Sequence, residues 1–361
     1  MKIGIVIYGS LETLSGGYLY DRKLVEYLRS QGDTVEIISL PWRNYAAHLG
    51  DNFSFRLPPG LDILIQDELN HPSLIGANVG KHHYPIVSLV HHLRCSELRP
   101  GWQNAFYRVI EKRYLCSVDG FIFNSQTTRG VVNGLIGNGK PSIVAFPPTD
   151  RFGQAMTEQA VAERAKNDPL RIVFLGNVIP RKGLHTLLEA ISLPRRTQRG
   201  TKETQFFHLD VIGSLNTAPV YAAKMQQKAS VLGLSSAVIF HGPLDNGKLA
   251  EKLKQAHVLA VTSSYEGFGI VYLEGMAFGL PAIGTNVGAA SEIISAGETG
   301  YLIPPDNAET LAARLTTLAS DRALLARMSL NALKRYQQQP TWEQTAGEIR
   351  EFLREQMESG K

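Results

Sequence analysis

The chain has 361 residues and a mass of 39.7 kDa, which at ~150 residues per domain predicts two domains, or three. Hydrophobic residues make up 43% and charged residues 19%, which excludes disorder, collagen-like and coiled-coil classes for the whole chain. A net charge of +4 does not argue for nucleic acid, and no apolar run reaches the ~18 residues of a spanning helix.

The opening MKIGIVIYGS lacks the apolar length and small-residue site of a signal peptide and reads as a first strand. Short apolar runs follow at Val35–Ser39, Asp62–Gln66, Ile86–His91, Phe121–Asn124 and Ser142–Phe146. Amphipathic stretches such as Tyr20–Gln31 and Gln103–Leu115 lie between them. Apolar runs without polar alternation suit strands buried on both faces, and strand–helix–strand alternation predicts parallel sheets. Cys95 and Cys116 cannot make a disulfide framework, so the sequence predicts a reducing, cytoplasmic compartment.

The first strand runs into a glycine-containing loop, Gly9–Tyr18, at a helix start, which could receive an anion. It lacks the spacing of a dinucleotide fingerprint and of a P-loop, so dehydrogenase and nucleoside triphosphatase readings are weak. Asp67 and Glu68 close the third strand, either to receive acceptor hydroxyls or as a solvated strand end. His91 and His92 end the fourth strand, and His82 and His83 precede it. The two pairs flank one strand, at ~3.3 Å per residue too far apart for one four-ligand site, so no metal is expected. Ser125 reads as a helix N-cap.

Segment 94–115 holds Arg94, Arg99, Arg108, Lys112 and Arg113, with Phe106, Val109, Ile110 and Leu115 near helical spacing. Such a helix is a candidate for peripheral contact with anionic lipid at the inner face of a membrane. Against this, Glu97 and Glu111 dilute the charge, and the stripe could face the core.

Pro147-Pro148 and a polar stretch without strands place a domain boundary at roughly Thr149–Pro169. Strands resume at Arg171–Leu175, His208–Ile212, Val238–Phe240, Val258–Thr262, Pro281–Gly284 and Tyr301–Ile303, separated by helical stretches at Leu184–Ser192, Val220–Leu232 and Asn246–Ala256. The predicted architecture is α/β, with domains at 1–150 and 151–341. The helix Trp342–Met357, within 342–361, reads as a charged amphipathic tail. Two Rossmann-like domains usually bind a ligand in a central cleft at the C-terminal ends of their sheets.

After the first strand of the second domain, Phe174–Gly183 carries Arg181 and Lys182 in a strand-to-helix turn, a pair suited to a diphosphate. Ser263–Glu292 reads SSYEGFGIVYLEGMAFGLPAIGTNVGAASE. It places Glu266 before Gly267-Phe268-Gly269 and Glu274 eight positions on, in a helix read as Ile270–Phe278. About two turns separate the glutamates, so each should accept hydrogen bonds from different ligand hydroxyls. The bland alternative is a pair of exposed helix-start charges.

This stretch resembles the signature of the family 4 retaining glycosyltransferases (glycosyltransferase group 1), whose fold is GT-B. The glutamate pair, the E-G-F-G string, Gly279-Leu280-Pro281 and Gly288…Glu292 carry the resemblance. It implies that Glu266 contacts donor-sugar hydroxyls, that Glu274 holds the nucleotide ribose, and that the N–H groups of Phe268, Gly269, Ile270 and Val271 touch sugar or diphosphate. It sets Gly16 and Gly17 against the diphosphate and acceptor, and His91 (with His92 the alternative) near the donor hydroxymethyl. It puts the base by Gly213 and Ser214 and by Gly242, Pro243 and Leu244, leaving uracil, guanine or adenine open, and it implies that the final helix, within 342–361, crosses back to complete the first domain. Lys182 matches the family lysine, but Asn177 stands at the family arginine, for which Arg181 is the candidate substitute. The implied reaction is metal-independent, retaining transfer of a hexose from a UDP- or GDP-linked donor to an unknown hydroxyl acceptor, whether saccharide, lipid or small metabolite. A non-catalytic nucleotide-sugar-binding protein and a sugar-nucleotide epimerase are the alternatives.

Overall fold

Apolar runs of the first part become β1 (Lys2–Tyr8), β2 (Thr34–Leu40), β3 (Ile63–Asp67), β4 (Ile86–Val90), β5 (Gly120–Phe123) and β6 (Ser142–Val144). The intervening helices are α1 (Gly16–Ser30), α2 (Tyr45–Asp51), α3 (His71–Asn78), α4 (Gly101–Cys116) and α5 (Gln126–Ile136). In this computed structural model the described residues are 1–13, 15–79, 82–148, 151–153, 156–197 and 207–359; Leu14 of the glycine loop and Thr149, where the expected linker begins, lie outside them.

The second part runs α6 (Glu158–Arg164), β7 (Leu170–Leu175), α7 (Leu184–Thr197), β8 (Phe207–Ile212), α8 (Pro219–Val231) and β9 (Val238–Gly242). It continues with α9 (Asn246–Gln255), β10 (Val258–Ala260), α10 (Ile270–Met276), β11 (Ala282–Thr285), α11 (Ala290–Ile293) and β12 (Gly300–Ile303). The last three helices are α12 (Ala308–Ser320), α13 (Arg322–Gln337) and α14 (Trp342–Ser359). The chain divides into two compact units, Met1–Pro148 with Pro340–Lys361, and Thr149–Gln339.

Each unit carries one six-stranded sheet, in the orders β2-β1-β3-β4-β5-β6 and β12-β11-β10-β7-β8-β9. Every strand pair is parallel. Parallel strands need helical crossovers, which cover both faces and explain the unbroken apolar runs. The strand order reverses between β1 and β3 in the first unit and between β7 and β10 in the second. A crevice opens outside the strand ends at such reversals.

In the first unit one sheet face packs Ile5, Leu24 and Leu28 against Ile349, Phe352 and Leu353 of α14. The other face buries Val6, Leu64, Ile86, Tyr114 and Phe123. The core of the second unit joins Phe174, Leu187, Val211, Met225, Ile283 and Leu315.

Three sequence expectations change. The polar stretch read as a boundary holds α6, capped by Thr157 and anchored by the buried Val161 and Arg164. The fourth strand ends at Val90, so His91 leaves the sheet. Helix α10 stops at Met276, because the chain turns over Gly275–Gly279 with a left-handed Gly279.

Candidate active site

Strand β7 delivers its cations through a tight turn, Pro180–Lys182, closed by Gly183 at a φ of +69°. A Cβ there would stand 2.0 Å from the Thr262 carbonyl oxygen, so glycine alone lets this turn pack on the chain leaving β10. The packing brings the ends of β7 and β10 together at the order reversal. The Lys182 ammonium donates to Glu266 Oε1 at 2.5 Å, and the Ser263 hydroxyl donates to the same oxygen at 2.5 Å. Arg181 lies 3.7 Å from that oxygen and donates to the Tyr265 carbonyl at 2.6 Å.

Burial alone would raise the Glu266 carboxyl, but the Lys182 and Arg181 cations outweigh it and hold it at about 2. Burial lowers the Lys182 ammonium, against the pull of Glu266. Glu266 is therefore an ionised hydrogen-bond acceptor and a poor proton acceptor.

Glu274 sits on α10 with a different cation. The Arg151 guanidinium donates to its carboxylate at 2.7 Å and to Asn246 Oδ1 at 2.9 Å. Burial raises the Glu274 carboxyl despite Arg151. Both glutamates are buried, at 7% and 3% exposure, which removes the reading of exposed helix-start charges. Gly267, Phe268, Gly269, Ile270 and Val271 connect the two, with Gly269 as the cap of α10.

Asn177, at the family arginine position, braces neighbouring strand ends: its side-chain oxygen accepts from the Ser214 amide at 3.3 Å. Gly213 N–H donates to the Gly242 carbonyl at 3.0 Å, so the ends of β7, β8 and β9 form one ledge beside Pro243 and Leu244.

The first unit gathers a second group of candidates at its own strand ends. His91 Nε2 lies 3.2 Å from Asp21 Oδ1 on α1, and the Asn124 amide holds the His91 carbonyl at 2.8 Å. Gly16 and Gly17 open α1 behind the capping Ser15. A Cβ on Gly17 would come within 3.3 Å of the His91 ring, so this glycine makes room for the imidazole. Asp67 and Glu68 are buried at 4% exposure each, which corrects the solvated strand end.

Burial lowers the His91 imidazole, but Asp21, Asp67 and Glu68 push it up to about 9. Burial and the Asp21 charge raise Asp67 to about 8, and burial raises Glu68 to about 7. His91 is thus a cation among carboxyls, and one Asp21 oxygen is buried without a hydrogen-bond partner. His92 Nε2 lies 3.1 Å from Glu97 Oε1, and its charge pulls the Glu68 carboxyl down against burial. Ser125 caps α5, as read from the sequence.

Among the described residues two sets of potential metal ligands each hold their ligand atoms within 4.8 Å of one another: Asp21, Asp67 and His91 in one, and Glu68, His71 and Glu111 in the other. Neither combines the histidines of the two sequence pairs. Sequence reasoning missed Arg151, Ser263 and Asp21. Arg151 and Asp21 lie 123 and 70 residues from their partners, and only the fold pairs them.

Residues 156–335 match the family of glycosyl transferases group 1. The chain is 30% identical over 208 residues to the D-inositol 3-phosphate glycosyltransferase of Jonesia denitrificans, covering 57% of this chain and 48% of that one. It is 27% identical over 281 residues to the glycogen synthase of Mycobacterium tuberculosis, covering 76% and 64%. The chain thus spans about half to two thirds of the length of these curated relatives. The fold matches sucrose-phosphate synthase from Thermosynechococcus elongatus at a TM-score of 0.80 and 19% identity, over 99% of both chains. It also matches Anabaena HepE in complex with UDP and glucose at 0.73 and 18%, over 98% and 99%.

Proposed function

We propose a reaction for a chain that belongs, through residues 156–335, to the group 1 glycosyl transferases: retaining transfer of a hexose from a nucleoside diphosphate sugar to an acceptor hydroxyl. The observation that carries it is the paired arrangement of buried carboxylates, Glu266 on Lys182 and Glu274 on Arg151, beside the strand-order reversal of the second unit. Glu266 accepts hydroxyls of the donor sugar, and Glu274 those of the ribose. Lys182 and Arg181 stabilise the charge that develops on the leaving diphosphate, with the first turn of α10 beside them. Gly213, Ser214, Gly242, Pro243 and Leu244 hold the base. Uracil is the first base to test, because the matched HepE structure contains UDP.

In the transfer, the bond between sugar C1 and the phosphate oxygen breaks while the acceptor oxygen bonds to C1 on the same face. The acceptor proton passes to the departing phosphate oxygen. A carboxylate held at about 2 by two cations is a weak nucleophile and a weak base, which favours this route over attack by Glu266. His91 donates to the donor hydroxymethyl, and Asp67 and Glu68 receive acceptor hydroxyls. The cations Lys182 and Arg181 fill the role that a metal would otherwise serve.

Calorimetric titration with UDP, GDP and ADP tests the donor assignment. One nucleotide binds, and Glu274→Ala weakens it at least about tenfold, as expected when a charged acceptor for ribose hydroxyls is removed. Absence of binding by all three would overturn the reading. Conversion of the donor sugar with no acceptor present would point to an epimerase instead.

A further inference from the structure

Helix α4 of the first unit presents an apolar stripe to solvent. Trp102 is 74% exposed, Phe106 46% and Val109 53%, with Leu98 at 66% just before the helix. Positions 102, 106, 109 and 113 share one helical face, so the stripe ends on Arg113. Arg108 and Lys112 are exposed beside it. The opposite face buries Glu111, Tyr114 and Leu115.

The stripe differs from the one read in the sequence. Leu115 faces the core, whereas Trp102, Phe106 and Val109 do not. Glu111 leaves the surface altogether: its carboxylate accepts the backbone N–H groups of Arg94 at 2.5 Å and Cys95 at 3.1 Å. Every exposed charge on α4 is therefore a cation. Glu97, the other acid of the segment, is engaged by Arg99 at 2.5 Å and lies 3.1 Å from His92. The stripe is also braced from behind. Phe106 meets Tyr45 and Tyr107 edge to face, and the Arg94 guanidinium lies 5.2 Å from both tyrosine ring centres.

We infer that this face of α4 docks on an anionic lipid surface, with Trp102, Phe106 and Val109 entering the headgroup boundary and Arg108, Lys112 and Arg113 meeting lipid phosphates. A face that is apolar along its centre, cationic at its flank and without exposed carboxylates fits a partner that is apolar beneath and negative at its surface. A second copy of the same face would oppose cation to cation. Among the described residues no helix is long and apolar enough to cross a membrane, so the contact is peripheral. The inference goes beyond the transfer reaction and uses none of the residues assigned to it.

Flotation of the full chain with phosphatidylglycerol–phosphatidylcholine vesicles and with pure phosphatidylcholine vesicles tests it. Binding is expected to the anionic vesicles only, to weaken with salt, and to blue-shift Trp102 emission. The double variant Trp102→Ser/Phe106→Ser and the triple variant Arg108→Glu/Lys112→Glu/Arg113→Glu each weaken binding at least about tenfold. All substituted side chains are exposed, so circular dichroism should show unchanged folding, and transfer to a soluble acceptor should persist. No binding to anionic vesicles at low salt overturns the inference, as does undiminished binding by both variants. A dimer in sedimentation that Trp102→Ser/Phe106→Ser dissolves overturns it too, by assigning the face to a second copy.

Discussion

Lys182 and Glu266 share a buried contact, and without Lys182 the Glu266 carboxylate is left to the Ser263 hydroxyl and to Arg181, 3.7 Å away. Lys182→Ala is expected to cost about 3–5 kcal/mol of stability in urea unfolding, because the Glu266 carboxylate stays in place. Transfer should fall at least about 10²-fold. Lys182→Ala with Glu266→Gln separates the two effects: the double variant regains stability and stays inactive. A double variant as unstable as the single one would show that the pair is not what couples them. Arg151 is the counterpart at Glu274. In Arg151→Met the buried Glu274 carboxyl loses its guanidinium partner and rises further, so nucleotide affinity should drop as pH is lowered from neutral. The wild type should vary less over the same range, in parallel calorimetric titrations.

Titration at these residues acts on the fold as well. Glu266 is held below its ordinary value, so its contribution to stability is complete above about pH 4.5 and is lost as pH falls towards 2. His91 is raised, so its contribution is complete below about pH 6.5 and is lost as pH climbs through about 9. Asp67 works in the same direction as His91: its carboxyl is raised from 3.8 to about 8, so stability falls as pH climbs between these values, where only the unfolded chain has ionised it, and is level above. Asp21→Asn should lower the His91 midpoint, read directly from its imidazole proton shifts. An unmoved midpoint would remove Asp21 as the group that charges His91.

At the scale of elements, α10 depends on a residue far from it in sequence. Buried Arg164 of α6 donates to the Phe278 carbonyl at 2.8 Å and to the Gly279 carbonyl at 2.9 Å, just past the end of the helix that bears Glu274. Arg164→Leu strands both oxygens and is expected to cost about 3 kcal/mol, read from the urea midpoint. This brace was illegible in the sequence, because the stretch around α6 looks like a polar linker. Strands such as β1, β4 and β7 were legible within a residue or two, because each is an apolar run between breakers. Helices α2 and α3 went unread: they are seven and eight residues long and too short for a periodic signal. Helices α12 and α13 carry Leu311, Leu315 and Leu318, then Leu325, Met328 and Leu333, at helical spacing, so their pattern was present and unused. The glutamate string stands out because its residues are neighbours in sequence. The cations and hydroxyl that fix its charge come from other elements and appear only in the fold.

At the scale of the molecule, the first unit is closed by its last helix. Ala346, Ile349, Phe352 and Leu353 of α14 are buried with Leu24, Leu28 and Ile5, and Arg350 pairs with Asp33 at 2.6 Å. A chain ending at Gln339 is therefore expected to keep the fold of the second unit and to expose apolar surface on the first, seen as dye binding and aggregation. Full solubility of that shortened chain would contradict the role of α14.

The same helix sets an order of events during synthesis. The strands of the first unit are made before the 191 residues of Thr149–Gln339, and the helix that covers them is made after. At about 5–20 residues per second, that interval is about 10–40 s. For this time the nascent first unit carries a bare apolar face over α1 and β1, while the second unit, continuous in sequence, can fold as it emerges. The ribosome therefore releases the parts of this protein in one order and the fold completes them in another, and the uncovered face is a natural landing place for a chaperone.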